Sequence, residues 1–482
     1  MKKLLRIIRH EWRLLMAERT APIVIGLFVA AIALGLWGGQ RWVGFQQATL
    51  VRLRGEERAR YDALREQARV VEAKFGAANQ TSAENWDPRH PYYIGNTKGA
   101  RYAWLPPAPL AVTAIGQSDV NPYYFKVSTD LKQNFTSTYE LENPLKLLLG
   151  RFDLAFVLIW LYPLLILALS FNLLAAEREN GTLALLLSQP VSLGVVVRGK
   201  IIVRALIAIV PVLLCATLGM WLAGAAPFSA ESLPRYALWM LAVLLYGAFW
   251  LALAALVNAR GKSAAANALL LAGVWLLCVV LLPSGINALA SLLYPAPSRV
   301  AYVQALREAA ASEAGERSKL LSAFYEDHPE LAQGKLTRRD EFTLTKERLN
   351  QRTETLLRPL NEQFAAQLQR QQAFVNRFRF LSPTLLMQQM LSDVAGTGQA
   401  RYDDFLRQVD DYHQAWRATL NPLVARREIL PVAAFDNLPR YQYCEEATDK
   451  IVRRLLAPIV SLGALTLLLS FVGLAAYGRF CV

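Results

Sequence analysis

Six apolar runs of membrane-spanning length constrain this chain more than any other feature. They fall at residues 21–39, 152–176, 201–225, 236–257, 264–283 and 454–478. A bilayer core needs about 20 consecutive apolar residues per helix, and backbone groups cannot stay unpaired in lipid, so each run is read as a helix. The 482 residues are 54% hydrophobic and still 19% charged, with a mean hydropathy of +0.24. Both figures hold together only if charge is segregated from the runs, and it is. The fold class is therefore mostly α: a polytopic membrane protein with six transmembrane helices. The net charge of +14 does not point to nucleic acid, because the bases of the large loops are dispersed among acids.

Orientation follows from the short loops, where basic residues stay on the cytoplasmic side. Lys2, Lys3, Arg6, Arg9, Arg13 and Arg19 lead into the first run against Glu11 and Glu18. Arg260 and Lys262 follow the fourth run without an acid, and the stretch "APFSAES" after the third holds Glu231 without a base. This predicts an N-in/C-in topology with residues 40–151 and 284–453 as two large extracytoplasmic regions. The first run is too long for the apolar core of a cleaved signal peptide, so it is expected to be retained. Arg204 lies inside the third run but near its end, where a long stem reaches the interface. Cys215, Cys278, Cys444 and Cys481 do not share a compartment in which they can pair, so no disulfide framework is expected.

Residues 1–20 place Leu4, Leu5, Ile8, Trp12, Leu15 and Met16 at spacings of three and four, with bases on the other side. That is an amphipathic interfacial helix lying on the membrane lipid of the cytoplasmic leaflet. It serves as an anchor, and it can also carry movement between a cytoplasmic partner and the spans. Outside, the first span is expected to continue as a charged helix through Tyr61, Leu64, Ala68 and Phe75, followed by loops or short strands. The second outer region is expected to be largely helical. Leu349, Leu356, Leu360, Phe364, Leu368, Val375 and Phe378 form an approximate heptad seam over about 340–379, and a piece around 299–325 is its expected antiparallel partner. The stretch "LSPTLLMQQMLSDVAGTG" is expected to lie against the membrane surface, and "RYDDFLRQVDDYHQAWRATL" to form another amphipathic helix. Asp403, Asp404, Asp410 and Asp411 alternate with bases at helical spacing, which fits a solvated face better than a metal site. No H-E-x-x-H and no G-x-S-x-G occurs, so neither region shows enzyme chemistry.

The polar island at 177–200 separates the second and third runs. Glu177, Arg178 and Glu179 end the second span, Gly181 permits a sharp reversal, and Thr182 is a good N-cap for a short helix from Leu183 to about Ser188. Pro190 ends that helix and Ser192 can cap the next. "GVVVRGK", Gly194–Lys200, fits G-x-x-x-x-G-K, but Ile201 stands where a phosphate loop needs a hydroxyl for Mg²⁺, and no strand precedes it. Arg198 and Lys200 are instead read as positive-inside anchors of the third span. A short leucine helix below the membrane either dips into the interface or docks in a groove of a soluble partner.

"EREnGTLALLLSQPVS…GK", together with the amphipathic lead-in and the six spans, resembles the permease subunit of an ABC-2 type ABC transporter. The outer stretches "LSPTLLMQQMLSDVAGTG", "YDDFLRQVDDYHQAWR" and "NLPRYQY" resemble the subgroup with an enlarged extracytoplasmic domain (DUF3526-like). The resemblance implies a multi-pass protein of the bacterial cytoplasmic (inner) membrane, pairing with a second permease copy or a sister permease and with a dimer of cytoplasmic ABC ATPase subunits. ATP and Mg then sit on those ATPase subunits, no cofactor is bound directly, and the chain is not itself an enzyme. Glu177, Glu179, Gly181, Thr182, Leu183, Leu186, Gln189 and Pro190 match the coupling segment that contacts the ATPase. The large outer regions depart from ordinary members and suggest an extracytoplasmic binding protein or handover of substrate outside. Ser170, Asn172, Asn267 and Asn287 are candidates to line a path, although small polar residues also hold helices together. The other reading is a membrane-anchored outer scaffold or mechanotransmission subunit with no substrate path through its spans.

Overall fold

The structure, a computed structural model, describes residues 2–478 apart from 18, 77–86, 97, 133–134, 136–151, 189–191, 226, 231, 261–262, 296–303, 305–307, 309–337 and 427. The expected 299–325 helix and the turn after it lie outside the described residues.

Helix α1 (Lys2–Ala17) carries the amphipathic pattern. Helix α2 (Thr20–Phe75) runs unbroken for 56 residues. At 1.5 Å per residue it is about 84 Å long, far more than the roughly 30 Å of a hydrocarbon core, so its charged half projects well clear of the bilayer. After α3 (Pro91–Asn96), strands β1 (Arg101–Trp104) and β2 (Tyr124–Val127) pair antiparallel, Arg101 opposite Val127 and Trp104 opposite Tyr124.

The second span is α4, comprising Leu154–Phe156, a π-helical turn Val157–Leu161, and Tyr162–Ser170. Asp153 caps it, accepting hydrogen bonds from the Phe156 N–H at 2.7 Å and the Ile115 N–H at 2.7 Å. The span expected to be continuous to residue 176 instead breaks after Ser170 and resumes as α5 (Ala175–Glu179). Then come α6 (Thr182–Leu187), α7 (Leu193–Leu222) and α8 (Leu233–Asn258). The fifth span, α9, comprises Ala264–Leu276, a π-helical turn Leu277–Leu281, and Leu282–Leu293. The second outer region supplies α10 (Arg338–Phe378), α11 (Pro383–Ala395) and α12 (Gln399–Arg426), and the last span is α13 (Thr448–Gly478). Six helices among the described residues are long and apolar enough to cross a membrane.

Helix α8 is the hub of the bundle. Its Trp239, Tyr246 and Trp250 are fully buried, and it packs on α4, α7, α11 and α13. Ala242, Ala252, Ala254 and Ala255 keep its surface low, which lets neighbouring backbones approach closely.

One expectation is corrected here. Helix α11 does not lie on the membrane surface: Leu386, Met387, Met390, Leu391, Val394 and Ala395 belong to the same buried cluster as the spans. Of the α10 seam, Leu356 is 53% and Leu368 50% exposed, and the partner expected for it lies outside the described residues. The far end of α10 meets the extension of α9, through Tyr294 against Phe374 and a Gln371–Ser291 hydrogen bond.

The two outer regions, separated in sequence by four spans, form one domain. Leu64 and Ala68 of α2, Ile94 of α3, Ala103 and Phe125 of the strands, and Phe405, Val409, Trp416 and Leu420 of α12 share a core. Phe125 stacks on Phe405 at 5.8 Å, and the Trp416 indole N–H donates to the Gly95 carbonyl at 3.3 Å.

Candidate functional site

The chain reverses at Gly181, whose φ is +72°, a left-handed conformation that side chains with a Cβ avoid. Helix α6 starts at Thr182 itself. The expected Thr182 cap is therefore replaced: its hydroxyl donates to the Glu177 carbonyl at 3.2 Å and ties the two sides of the turn together. Leu183 is half-buried, whereas Leu185 is 72% exposed. Ser188 closes the helix by donating to the Leu185 carbonyl at 2.8 Å. Leu186 lies in α6, while Gln189 and Pro190 fall outside the described residues. Ser192 has the extended backbone of an N-cap but makes no side-chain capping bond.

Both acids of the lead-in turn back toward the bundle. Glu179 accepts a hydrogen bond from the Ala264 N–H at 2.8 Å, so its charge sits at the N-terminus of α9, where a helix dipole favours it. Glu177 pairs with Lys200 of α7. The Lys200 ammonium also meets Glu11 of α1 at 3.1 Å, and Glu11 meets Arg204 at 3.4 Å. Arg204 donates in addition to the Leu169 carbonyl at 2.7 Å, near the end of α4.

Lys200 is 3% exposed, Arg204 5% and Glu11 6%. This corrects the reading of Lys200 as a positive-inside anchor and of Arg204 as a side chain reaching the interface. Two acids and two bases form a charge-balanced cluster that joins α1, α4, α5 and α7. Arg198 alone remains exposed, donating to the Gly194 carbonyl at 3.0 Å. Gly199 has a separate use: a Cβ there would stand 2.7 Å from Ile7 Cγ2, so the glycine of "RGK" is where α1 seats against α7.

The signals for this cluster were present in the sequence. Glu11 is an acid placed four residues from Ile7 and from Leu15, inside the apolar stripe of α1. Lys200 and Arg204 stand four apart on a helix whose Val197, Val203 and Ile207 are buried.

The polar candidates in the spans separate into two sets. Asn258 accepts from the Leu173 N–H at 3.0 Å and donates to the Ser170 carbonyl at 3.0 Å. Asn267 donates to Asn258 at 3.2 Å and to the Phe171 carbonyl at 3.4 Å, and Asn172 accepts from the Ala176 N–H at 2.7 Å. These asparagines pair backbone groups released where α4 breaks, as a bent segment inside a bundle requires. Asn287 is exposed on α9, far along the chain from this knot. Replacing Asn258 by leucine should cost about 1–3 kcal/mol by stranding the Leu173 N–H, whereas Asn287→Leu should change stability by less than about 0.5 kcal/mol. Thermal unfolding in detergent compares them, and equal shifts would contradict the assignment.

At the opposite end of α8, Glu445 accepts from Arg401 at 2.9 and 2.6 Å and from Arg235 at 3.1 Å. Burial alone would raise its carboxyl; the hydrogen bonds and charge of Arg401, with the charge of Arg235, outweigh that and hold it below the usual carboxylate range. Arg401 further donates to the Gly396 carbonyl at 3.2 Å and the Pro106 carbonyl at 2.9 Å, fastening both outer regions to α8. Among the described residues no group of three His, Cys, Asp or Glu side chains is placed to hold a metal ion.

A bundle of six membrane helices, with a short leucine helix anchored beneath one end and an added domain at the other, defines a polytopic membrane subunit. Residues 131–292 match the ABC-2 family transporter protein family, and residues 299–444 match the Domain of unknown function (DUF3526). The chain thus joins a region of the ABC-2 transporter family to a DUF3526 domain. No curated protein matches it.

Proposed function

We propose that this chain is the permease subunit of an ATP-driven ABC-2 transporter of the bacterial inner membrane, with its termini and α6 in the cytoplasm. A separate ATPase dimer docks on α6 and hydrolyses ATP, and a second permease copy or a sister permease completes the pathway. Substrate leaves, or is handed over, at the outer domain.

The observation that carries this reading is the placement of α6. It presents Leu185 to solvent at 72% exposure, while Glu177 and Glu179 in its lead-in are tied to α7 and α9. A short helix braced in this way transmits displacement to two spans at once, as a loose loop cannot. The acids then serve as braces and Leu185 as the contact.

Leu185→Asp should cut co-purification of the ATPase at least tenfold. The double charge reversal Glu177→Lys with Glu179→Lys should leave the ATPase bound but uncouple its hydrolysis from transport. Full ATPase recovery with Leu185→Asp, or full coupling in the double variant, would overturn the reading.

One feature favours the second reading, force transmission to the outer domain without a substrate path: α2 continues unbroken from the bundle into the outer core through Leu64 and Ala68. Reconstitution with the ATPase separates the two, because only a transporter gives ATP-dependent flux.

A further inference from the structure

Helix α11 belongs to the DUF3526 region, yet it is built into the bundle. Its 13 residues span about 20 Å, too short to cross a membrane and of the length expected for a re-entrant or buried helix. Its start lies deep. Ser382 donates to the Cys278 carbonyl of α9 at 3.2 Å, and Thr384 lies 3.4 Å from the Tyr246 hydroxyl of α8. Tyr246 stands twelve residues from the Asn258 end of α8, roughly 18 Å along the helix axis. A hydrocarbon core of about 30 Å therefore puts that level inside the bilayer. The other end of α11 lies buried near Arg235, where Gly396 takes a φ of +70°.

Several features distinguish this element from a fixed strut. Both ends leave the α-helical path, through a 3-10 turn at Arg379–Leu381 and the extended Ser382 before it, and through the left-handed Gly396 after it. Met387 and Met390, both buried, face the spans, and unbranched thioethers repack more readily than branched side chains. Away from the methionines Gln388 is exposed, and the buried Asp393 pairs with Arg454 of α13 at 3.7 Å. On α11 itself the Gln389 side-chain oxygen is buried without a hydrogen-bond partner. An unmet polar atom of this kind is costly, and it gains a partner if the site opens to water or to a polar ligand.

We propose that α11 is the outer gate of the permease, the stopper that closes the outer half of the bundle. The gate rests on the permease reading above. In the state described here α11 is seated against α8, α9 and α13; during the ATP cycle it withdraws toward the outer domain, turning at Gly396.

The test uses Ser382→Cys in the full chain, with Cys215, Cys444 and Cys481 replaced by serine and the native Cys278 kept, co-purified with its ATPase. A short bifunctional methanethiosulfonate should link position 382 to Cys278 through a disulfide at each end, as read by peptide mass spectrometry. The linked complex should keep its ATPase but lose at least tenfold in ATP turnover, and reductant should restore it. Ser382→Ala, treated identically, should be unaffected by the reagent. Unchanged turnover in the linked complex would make α11 a static strut and overturn the gate. Failure of the two thiols to link would overturn its seating beside α9. Failure of the reduced, unlinked protein to recruit an ATPase is a separate result, which removes the permease reading itself.

Discussion

Replacing Lys200 by methionine is expected to destabilise the protein by about 3–5 kcal/mol, the usual consequence of removing one partner from a buried ion pair. The ammonium is the shared partner of Glu11 and Glu177. Without it two carboxylates face each other in a site where Glu11 is 6% exposed, and one must take up a proton or the elements must separate. The second variant makes the prediction specific. Lys200→Met combined with Glu177→Gln keeps Glu11 paired with Arg204 and should recover more than half of the loss. Thermal unfolding of the four members of this cycle in detergent measures the coupling. A single variant that melts with the parent would show that the cluster holds nothing together.

Trp416→Ala should be comparably severe but in a different place. The side chain is fully buried, donates to Gly95, and lies against Tyr412. Emptying such a site costs about 3–5 kcal/mol through lost burial and the cavity left behind. The damage should stay in the outer domain: limited proteolysis should cut the strands and α12 at least tenfold faster while the spans remain protected. Equal digestion of variant and parent would remove Trp416 from the list of core residues.

The spans were legible in the sequence because hydropathy alone decides them, and only their interruptions were missed. The break after Ser170 depends on Asn258 and Asn267, which approach α4 from other helices and leave no mark in the local sequence. The reversal at Gly181 could be read because the conformation needs that residue type. The Glu11–Lys200–Glu177 cluster left only partial signals, Glu11 inside the apolar stripe of α1 and Lys200 four residues before Arg204; that they meet was hidden, since the members are distant in the chain and basic residues near a span have a sufficient explanation in orientation. Helix α11 was misplaced for a physical reason: thirteen amphipathic residues suit an interface and a re-entrant cleft equally well, and only tertiary packing separates the two.

The shared core of the outer domain also sets an order of assembly. Leu64, Ile94 and Phe125 emerge early in synthesis, but Phe405 and Trp416, against which they pack, follow only after four further spans have been made. Contacts so distant in sequence form slowly and leave apolar surface uncovered meanwhile. The first outer region must therefore wait, partly folded, while the membrane helices insert. A ribosome stalled before α12 would leave Phe125 without the ring it stacks on, bare to water.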